Sequence, residues 1–262
     1  VKWTFLPGSI HWLVAILAAF AAGGLWAVIP GVMKAYLNVN EVISSIMMNY
    51  IGMYLVNYSV SLVLFDALRN QSLPVASTAV IPKMGFDKIF TGSPANGGFV
   101  IAILFVILIY IILNKTSFGY EMKACGFNKD ASKYAGINEK RNIILSMVIA
   151  GALAGVGGGL LYLSGSGKFI EVVDVLPAEG FNGIPVALLG LSNPIGVLFA
   201  GLFIAYLNVG GNGMQQFGFI PQIVDIIISC IIYCSALSLM IKVWLSKRRK
   251  TKELGTAKKE GE

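Results

Sequence analysis

The 262-residue chain is 56% hydrophobic and 13% charged, with a formal net charge of +7 and a mean hydropathy of +0.76. Soluble domains carry about 25% charged residues, so this composition excludes an ordinary water-soluble protein and indicates that lipid covers much of the surface. The basic residues lie in loops and near the carboxyl end, apart from the aromatic residues, which gives no support to a nucleic-acid-binding surface.

Six stretches are apolar enough, at close to the required length of about 20 residues, to predict membrane-spanning helices. In chain order they are residues 9–29, 42–65, 97–113, 143–163, 195–210 and 222–245. The third and the fifth are short, but they are acceptable as spans if neighbouring helices bury them. Because the chain begins with Val1 and not with methionine, we expect that the amino-terminal part of a longer protein is missing.

A shorter apolar piece, residues 181–191, precedes the fifth stretch and is interrupted by Gly190, Asn193 and Pro194. We therefore predict a broken pair over residues 181–210: a short half-helix, a sharp turn and a helix that returns. Broken helices at bilayer depth persist only where protein or a water-filled cavity satisfies the freed backbone groups. The predicted fold class is all-α, a polytopic transmembrane helical bundle with this broken pair.

The lysines and arginines predict the orientation, because loops on the cytosolic side are enriched in them. With the basic tail, residues 246–262, in the cytosol, the loop of residues 114–142 is cytosolic too. Of the 20 basic residues, those left on the outer side are Lys2, Arg69, Lys83, Lys88 and Lys168. The domain division expected is a membrane domain over residues 1–245 and a cytosolic tail over residues 246–262.

Three glycines in the fourth stretch, Gly151, Gly155 and Gly159, are four residues apart and lie on one helix face. Small residues at this spacing let two helix backbones approach closely in lipid. Tight helix packing is the favoured interpretation, and a contact that slides during gating is the alternative.

The sequence gives little support to an enzyme. The predicted spans hold almost no ionisable residues, and no Ser/His/Asp set or metal-ligand spacing is present. Residues 165–168 resemble the end of a nucleotide-binding loop, but Phe169 stands where such loops have Ser or Thr. We predict no catalytic residue, no metal and no cofactor, and we expect His11 to lie at the membrane interface.

The loop after the third stretch has a helical pattern. Its apolar residues recur at a spacing typical of one helix face: Phe127, Ala131, Tyr134 and Ala135. Asn128 is suited to cap the start of this helix and Gly136 its end. The pattern alone leaves open whether the short cytosolic helix docks on a partner protein or rests on lipid headgroups.

Three motifs resemble bacterial ABC importer permeases of the branch that serves simple sugars, nucleosides and branched-chain amino acids. Glu121-x-x-Ala124-x-Gly126 and the Asn128, Ala131 and Gly136-Ile137 positions resemble the coupling loop of that family. Residues 40–44 with Met48-Asn49-Tyr50 resemble its second signature, and are most like the nucleoside members. Residues 181–190 with Asn193-Pro194 resemble the third.

The resemblance implies a permease subunit of an ATP-driven importer in the bacterial inner membrane. It also implies that the solute is small and polar, and the likeness to the nucleoside members indicates a nucleoside. It also implies partners: a cytosolic ABC ATPase on the coupling helix, a second permease subunit and an extracellular substrate-binding lipoprotein. A sugar or branched-chain amino acid permease is the runner-up, and a passive channel without an ATPase is the rival class.

On this basis two groups of site residues are expected. The ATPase coupling contacts are Glu121, Gly126, Asn128, Ala131, Tyr134 and Gly136. The solute pathway residues are Asn49, Tyr50, Phe181 and Asn182. The alternative for the second group is structural: Asn49 bonds a neighbouring helix and the aromatic rings only pack.

Overall fold

The computed structural model describes residues 8–66, 68–85, 96–218, 220, 222–223, 225–231, 233–234 and 237. The chain forms two compact units, Val1–Leu176 and Pro177–Glu262. Among the described residues, five helices are long and apolar enough to cross a membrane. Together with the predominance of helix, this confirms the predicted all-α polytopic fold.

The first unit is built mainly from six helices. They are α1 (Gly8–Leu37), α2 (Glu41–Val63), α3 (Gly98–Lys115), α4 (Ser117–Phe127), α5 (Lys129–Tyr134) and α6 (Glu139–Tyr162). The most extensive packing joins α1 and α6, which run antiparallel: Ala19 lies beside Gly155, and Gly31 lies beside Ile144.

The first helix is longer than predicted, because it continues through Pro30 to Leu37 instead of ending at residue 29. Proline removes one backbone donor from a helix, but membrane helices tolerate it where neighbouring helices support the backbone. Asn38, with φ +52°, ends α1, and the side chain of Asn40 caps α2 by accepting a hydrogen bond from the Val42 N–H. The connection between the two helices is therefore only three residues long.

A small hairpin segment between α2 and α3 was not predicted. Strands β1 (Phe65–Asp66) and β2 (Gln71–Ser72) pair in an antiparallel hairpin, with Phe65 opposite Ser72. After the hairpin the chain contacts the end of α6, where the Ile81 N–H donates a hydrogen bond to the Leu163 carbonyl at 2.9 Å. Strands of two residues show no side-chain alternation, so the sequence pattern carries no signal for them.

The core of the first unit lies near this segment. Ile16, Ile81 and Val156 are buried and pack against partly buried Trp12 and Phe105. His11 is buried as well, with Nδ1 3.0 Å from Thr78 Oγ1. A hydroxyl of the loop therefore satisfies the imidazole inside the protein, and the expectation that His11 lies at the membrane interface stays a prediction.

Most large apolar side chains elsewhere are exposed in the single chain, including Leu25 at 72% and Val63 at 75%. Such exposure is costly in water but not against acyl chains or another membrane subunit.

The second unit contains the predicted break. Helix α7 (Ala178–Leu189) is followed by a tight turn and by α8 (Pro194–Met214), which packs back on α7. Leu191 and Ser192 have φ of +54° and +55°, and the side chain of Asn193 accepts a hydrogen bond from the Ile195 N–H. Half of the predicted last span, residues 222–245, lies outside the described residues, and the described half, residues 222–223, 225–231, 233–234 and 237, is helical. The tail, residues 246–262, lies outside them.

Candidate coupling site and solute pathway

The loop of residues 114–142 forms a helical elbow. Asn128, with an extended backbone at φ −156°, separates α4 from α5, and its Oδ1 accepts a hydrogen bond from the Ala131 N–H at 3.0 Å. This bond caps α5 and satisfies one of the free donors of its first turn. Gly136 follows α5 with φ +80°, the left-handed conformation that commonly ends helices. The sequence predicted α5 but not α4. Phe127, which the sequence pattern placed in the same helix as Ala131 and Tyr134, is instead the last residue of α4.

Much of the elbow is open to solvent. We name one exposed part the elbow surface, and it consists of Gly126, Phe127, Asn128, Ala131 and Tyr134. Phe127 is 90% exposed and Tyr134 is 93% exposed, and a Cβ on Gly126 would meet no atom within 4 Å. Two aromatic rings this exposed beside a glycine and an alanine are typical of a surface that another protein covers.

The opposite side of the elbow is joined to α6 by side-chain hydrogen bonds, which we name the polar brace. Asn142 is buried in the first turn of α6, and its Nδ2 donates to Glu121 Oε2 at 3.1 Å. The Cys125 Sγ donates to the buried Ser132 Oγ at 3.4 Å, and so links α4 to α5. Glu121, expected at the ATPase contact, is half-buried with its carboxylate in the brace.

The three glycines of α6 face α1 across a seam of small residues, the glycine seam, formed by Ala19, Gly23, Gly151, Gly155 and Gly159. A Cβ built on Gly155 would overlap the carbonyl oxygen of Ala19, and one on Gly151 would overlap the Cβ of Ala27. A Cβ on Gly159 would lie 3.3 Å from that of Ala19. The two backbones are therefore too close for any side chain at Gly151 or Gly155.

Residues of the second motif build the turn between α1 and α2. The carboxylate of Glu41 lies 2.6 Å from the Lys34 ammonium of the last turn of α1, and Ser44 is buried. The motif therefore has a local structural role at its beginning, while its end, Asn49 and Tyr50, points away from the packed interior.

The predicted pathway residues are exposed in the single chain. Tyr50 is 45% exposed and Phe181 is 51% exposed, and Asn49 and Asn182 are exposed too. Asn49 and Tyr50 belong to the first unit, whereas Phe181 and Asn182 belong to the second.

Two further features were missed by sequence reasoning. Tyr54 and Tyr58 continue the exposed stripe of Tyr50 along α2, at 55% and 68% exposure; their spacing of four residues was a readable signal. Asn142, Cys125 and Ser132 were missed because their contacts join residues far apart in the chain, which no local pattern encodes.

Five candidate spans, a broken helix pair and a capped elbow define a polytopic membrane protein. Residues 2–236 match the family described as "Branched-chain amino acid transport system / permease component". The match covers most of the chain, and the chain belongs to this family.

Individual relatives agree with the family. The chain is 38% identical over 245 residues to the guanosine ABC transporter permease protein NupP of Bacillus subtilis, covering 93% of this chain and 70% of the relative. It is 37% identical over 262 residues to the nucleoside ABC transporter permease protein NupB of Lactococcus lactis, covering 98% and 72%. The glucose ABC transporter permease protein TsgB13 of Haloferax volcanii is 31% identical over 87% of this chain and 61% of its own length. No solved structure matched.

The predicted resemblance is confirmed, and the protein is the permease subunit of an ABC importer, a multi-pass protein of the bacterial inner membrane. Proteins of this family transport solutes and are not enzymes by kind. ABC importer permeases in general work with an ATPase and a substrate-binding protein.

Proposed function

We propose that this permease imports nucleosides. The observation that carries the proposal is the similarity to the guanosine and nucleoside permeases NupP and NupB, which extends over at least 93% of this chain. The similarity to the glucose permease TsgB13 is lower and spans less of both proteins. The exposed aromatic rings and amides of α2 and α7 suit a nucleoside, whose base stacks and whose sugar and base edges form hydrogen bonds.

The solute pathway proposed here runs along the exposed face of α2. This helix is the least hydrophobic of the five candidate spans, with a mean hydropathy of 1.2. Tyr50, Tyr54 and Tyr58 lie four residues apart on the exposed face, and the side chain of Asn49 makes no hydrogen bond with any residue that the structure describes. Amide and hydroxyl groups facing acyl chains are unfavourable, so this face is expected to line an aqueous path closed by a second permease subunit.

Competition for uptake tests the substrate class. In cells that carry the whole importer, uptake of radiolabelled guanosine should be suppressed by an excess of other nucleosides. The same excess of glucose or leucine should leave it unchanged. Measurable uptake of glucose or leucine by these cells, together with no uptake of guanosine, would contradict the proposal.

The role of Asn49 is tested by Asn49→Ala. We expect guanosine uptake to fall about tenfold or more, because loss of one hydrogen bond to a polar ligand in a desolvated path costs about 1–3 kcal/mol. Met47→Ala is the matched control, since Met47 is 62% exposed on the same helix but apolar; its uptake should stay near normal. Equal uptake by both variants, at equal amounts in the membrane, would remove Asn49 from the pathway.

We also propose that the elbow surface is the ATPase contact. Phe127 and Tyr134 provide apolar area, while the cap at Asn128 and the polar brace hold the surface rigidly on α6. A rigid lever lets ATP-driven closure of the ATPase pair move the membrane helices, because force is not absorbed by local bending. Gly126 and Gly136 contribute by leaving space at the surface.

A further inference from the structure

An open cleft of about 500 Å³, which we name the wedge, lies beside the end of α1 and the start of α6. Its lining combines polar and aliphatic side chains: Tyr36, Asn138, Lys140, Arg141, Ile144 and Leu145. We propose that this wedge binds the headgroup and the first part of an acyl chain of an anionic phospholipid. The proposal depends on the membrane location of the two helices and not on the imported solute.

The cavity exists because the close contact between the two helices ends there. A Cβ on Gly31 would lie 3.4 Å from Ile144 Cα, so the helices still touch at this level. Beyond this level, α1 carries Tyr36 and α6 carries Lys140, and both side chains line the cavity. The wedge therefore opens at the ends of two candidate spans, where lipid headgroups lie.

The charge of the wedge is positive and unbalanced. The Lys140 ammonium lies 4.7 Å from the centre of the Tyr36 ring, and the Arg141 guanidinium forms no ion pair with any residue that the structure describes. The two carboxylates next to these helix ends in sequence are already engaged: Glu41 pairs with Lys34 at 2.6 Å and Glu139 lies 3.9 Å from Lys129. A phosphate would supply the missing negative charge, bound by a guanidinium whose geometry suits it.

The apolar part of the lining distinguishes a lipid from a soluble phosphate. Ile144 and Leu145 continue from the cationic residues towards the membrane interior. An acyl chain attached to the phosphate would cover them, whereas a free phosphate would leave them exposed. Basic pockets between spanning helices are known as a general means of holding anionic headgroups.

Native mass spectrometry of the purified full chain tests the proposal, by titration with dioleoyl phosphatidylglycerol and, in parallel, with dioleoyl phosphatidylcholine. We expect phosphatidylglycerol to bind preferentially and the double variant K140Q/R141Q to bind it at least about tenfold more weakly, since each basic residue contributes about fivefold. The matched control K115Q/K133Q removes two exposed lysines from the same predicted side and should bind like the unmodified chain.

Two further variants and one competing ligand separate the effect of charge from a loss of folding and a lipid from free phosphate. The exchange K140R/R141K retains both charges and should retain binding, and R141Q alone should give an intermediate loss if the double variant does not fold. Millimolar inorganic phosphate should not displace the lipid. Equal binding of both lipids, unchanged binding by K140Q/R141Q, or displacement by inorganic phosphate would each overturn the proposal.

Discussion

Replacing Gly155 with leucine is expected to abolish accumulation of the folded permease. A Cβ alone at this position would overlap the Ala19 carbonyl oxygen, so the backbones of α1 and α6 would have to separate along the glycine seam. Overpacking of this kind costs about 3 kcal/mol or more, because backbone atoms cannot rotate away as side chains do. The amount of monodisperse protein in detergent and its thermal unfolding midpoint measure the effect.

Gly157→Leu is the matched control on the same helix. A Cβ at Gly157 would meet no atom within 4 Å, so this variant should accumulate and unfold much like the unmodified protein. If Gly155→Leu accumulated as well as Gly157→Leu and kept the same unfolding midpoint, the close contact between α1 and α6 would not exist in the membrane.

Replacing Ala131 with arginine is expected to release the ATPase while the permease remains in the membrane. Ala131 is exposed at the centre of the elbow surface, and only its backbone N–H takes part in the cap with Asn128. Arginine therefore leaves the fold intact but adds bulk and charge to the proposed contact, which we expect to reduce co-purification at least about tenfold. ATP-driven uptake should fall in parallel.

Ser117→Arg controls for an added charge in the same loop. Ser117 is exposed at the first turn of α4, at the opposite end of that helix from the elbow surface. It should retain the ATPase. Full retention of the ATPase by Ala131→Arg would show that the elbow surface is not where the two proteins meet.

Much of the fold was predictable because membrane physics limits the choices. Spans of apolar residues were sufficient to locate the membrane helices, though not α4 or the end of α1, and Gly190, Asn193 and Pro194 were sufficient for the break, since these residues favour turns and helix starts. The cap by Asn128 was predictable too, because asparagine favours helix starts wherever the helical pattern begins just after it. The spacing of Gly151, Gly155 and Gly159 predicted a close contact, but the partner helix was not encoded in that spacing.

The features that sequence reasoning missed depend on contacts between distant residues. The sequence placed Glu121 at the ATPase contact but gave no sign that α6 brings Asn142 to its carboxylate, and it gave no sign that the loop brings Thr78 to His11. The end of α1 beyond Pro30 was missed because the local penalty of proline is offset by packing of Gly31 on α6. Tertiary contact decided each of these positions.

If an intracellular ATPase binds the elbow surface, the elbow surface and the β1–β2 hairpin must lie on opposite sides of the membrane. Single cysteines test this directly in a chain whose Cys125, Cys230 and Cys234 are replaced by serine. Tyr134→Cys and Leu68→Cys are matched, because the native side chains are 93% and 96% exposed. A membrane-impermeant maleimide added to intact cells should label Leu68→Cys, and should label Tyr134→Cys only after the membrane is dissolved in detergent. Labelling of Tyr134→Cys in intact cells would place the elbow outside, where no ATPase reaches it.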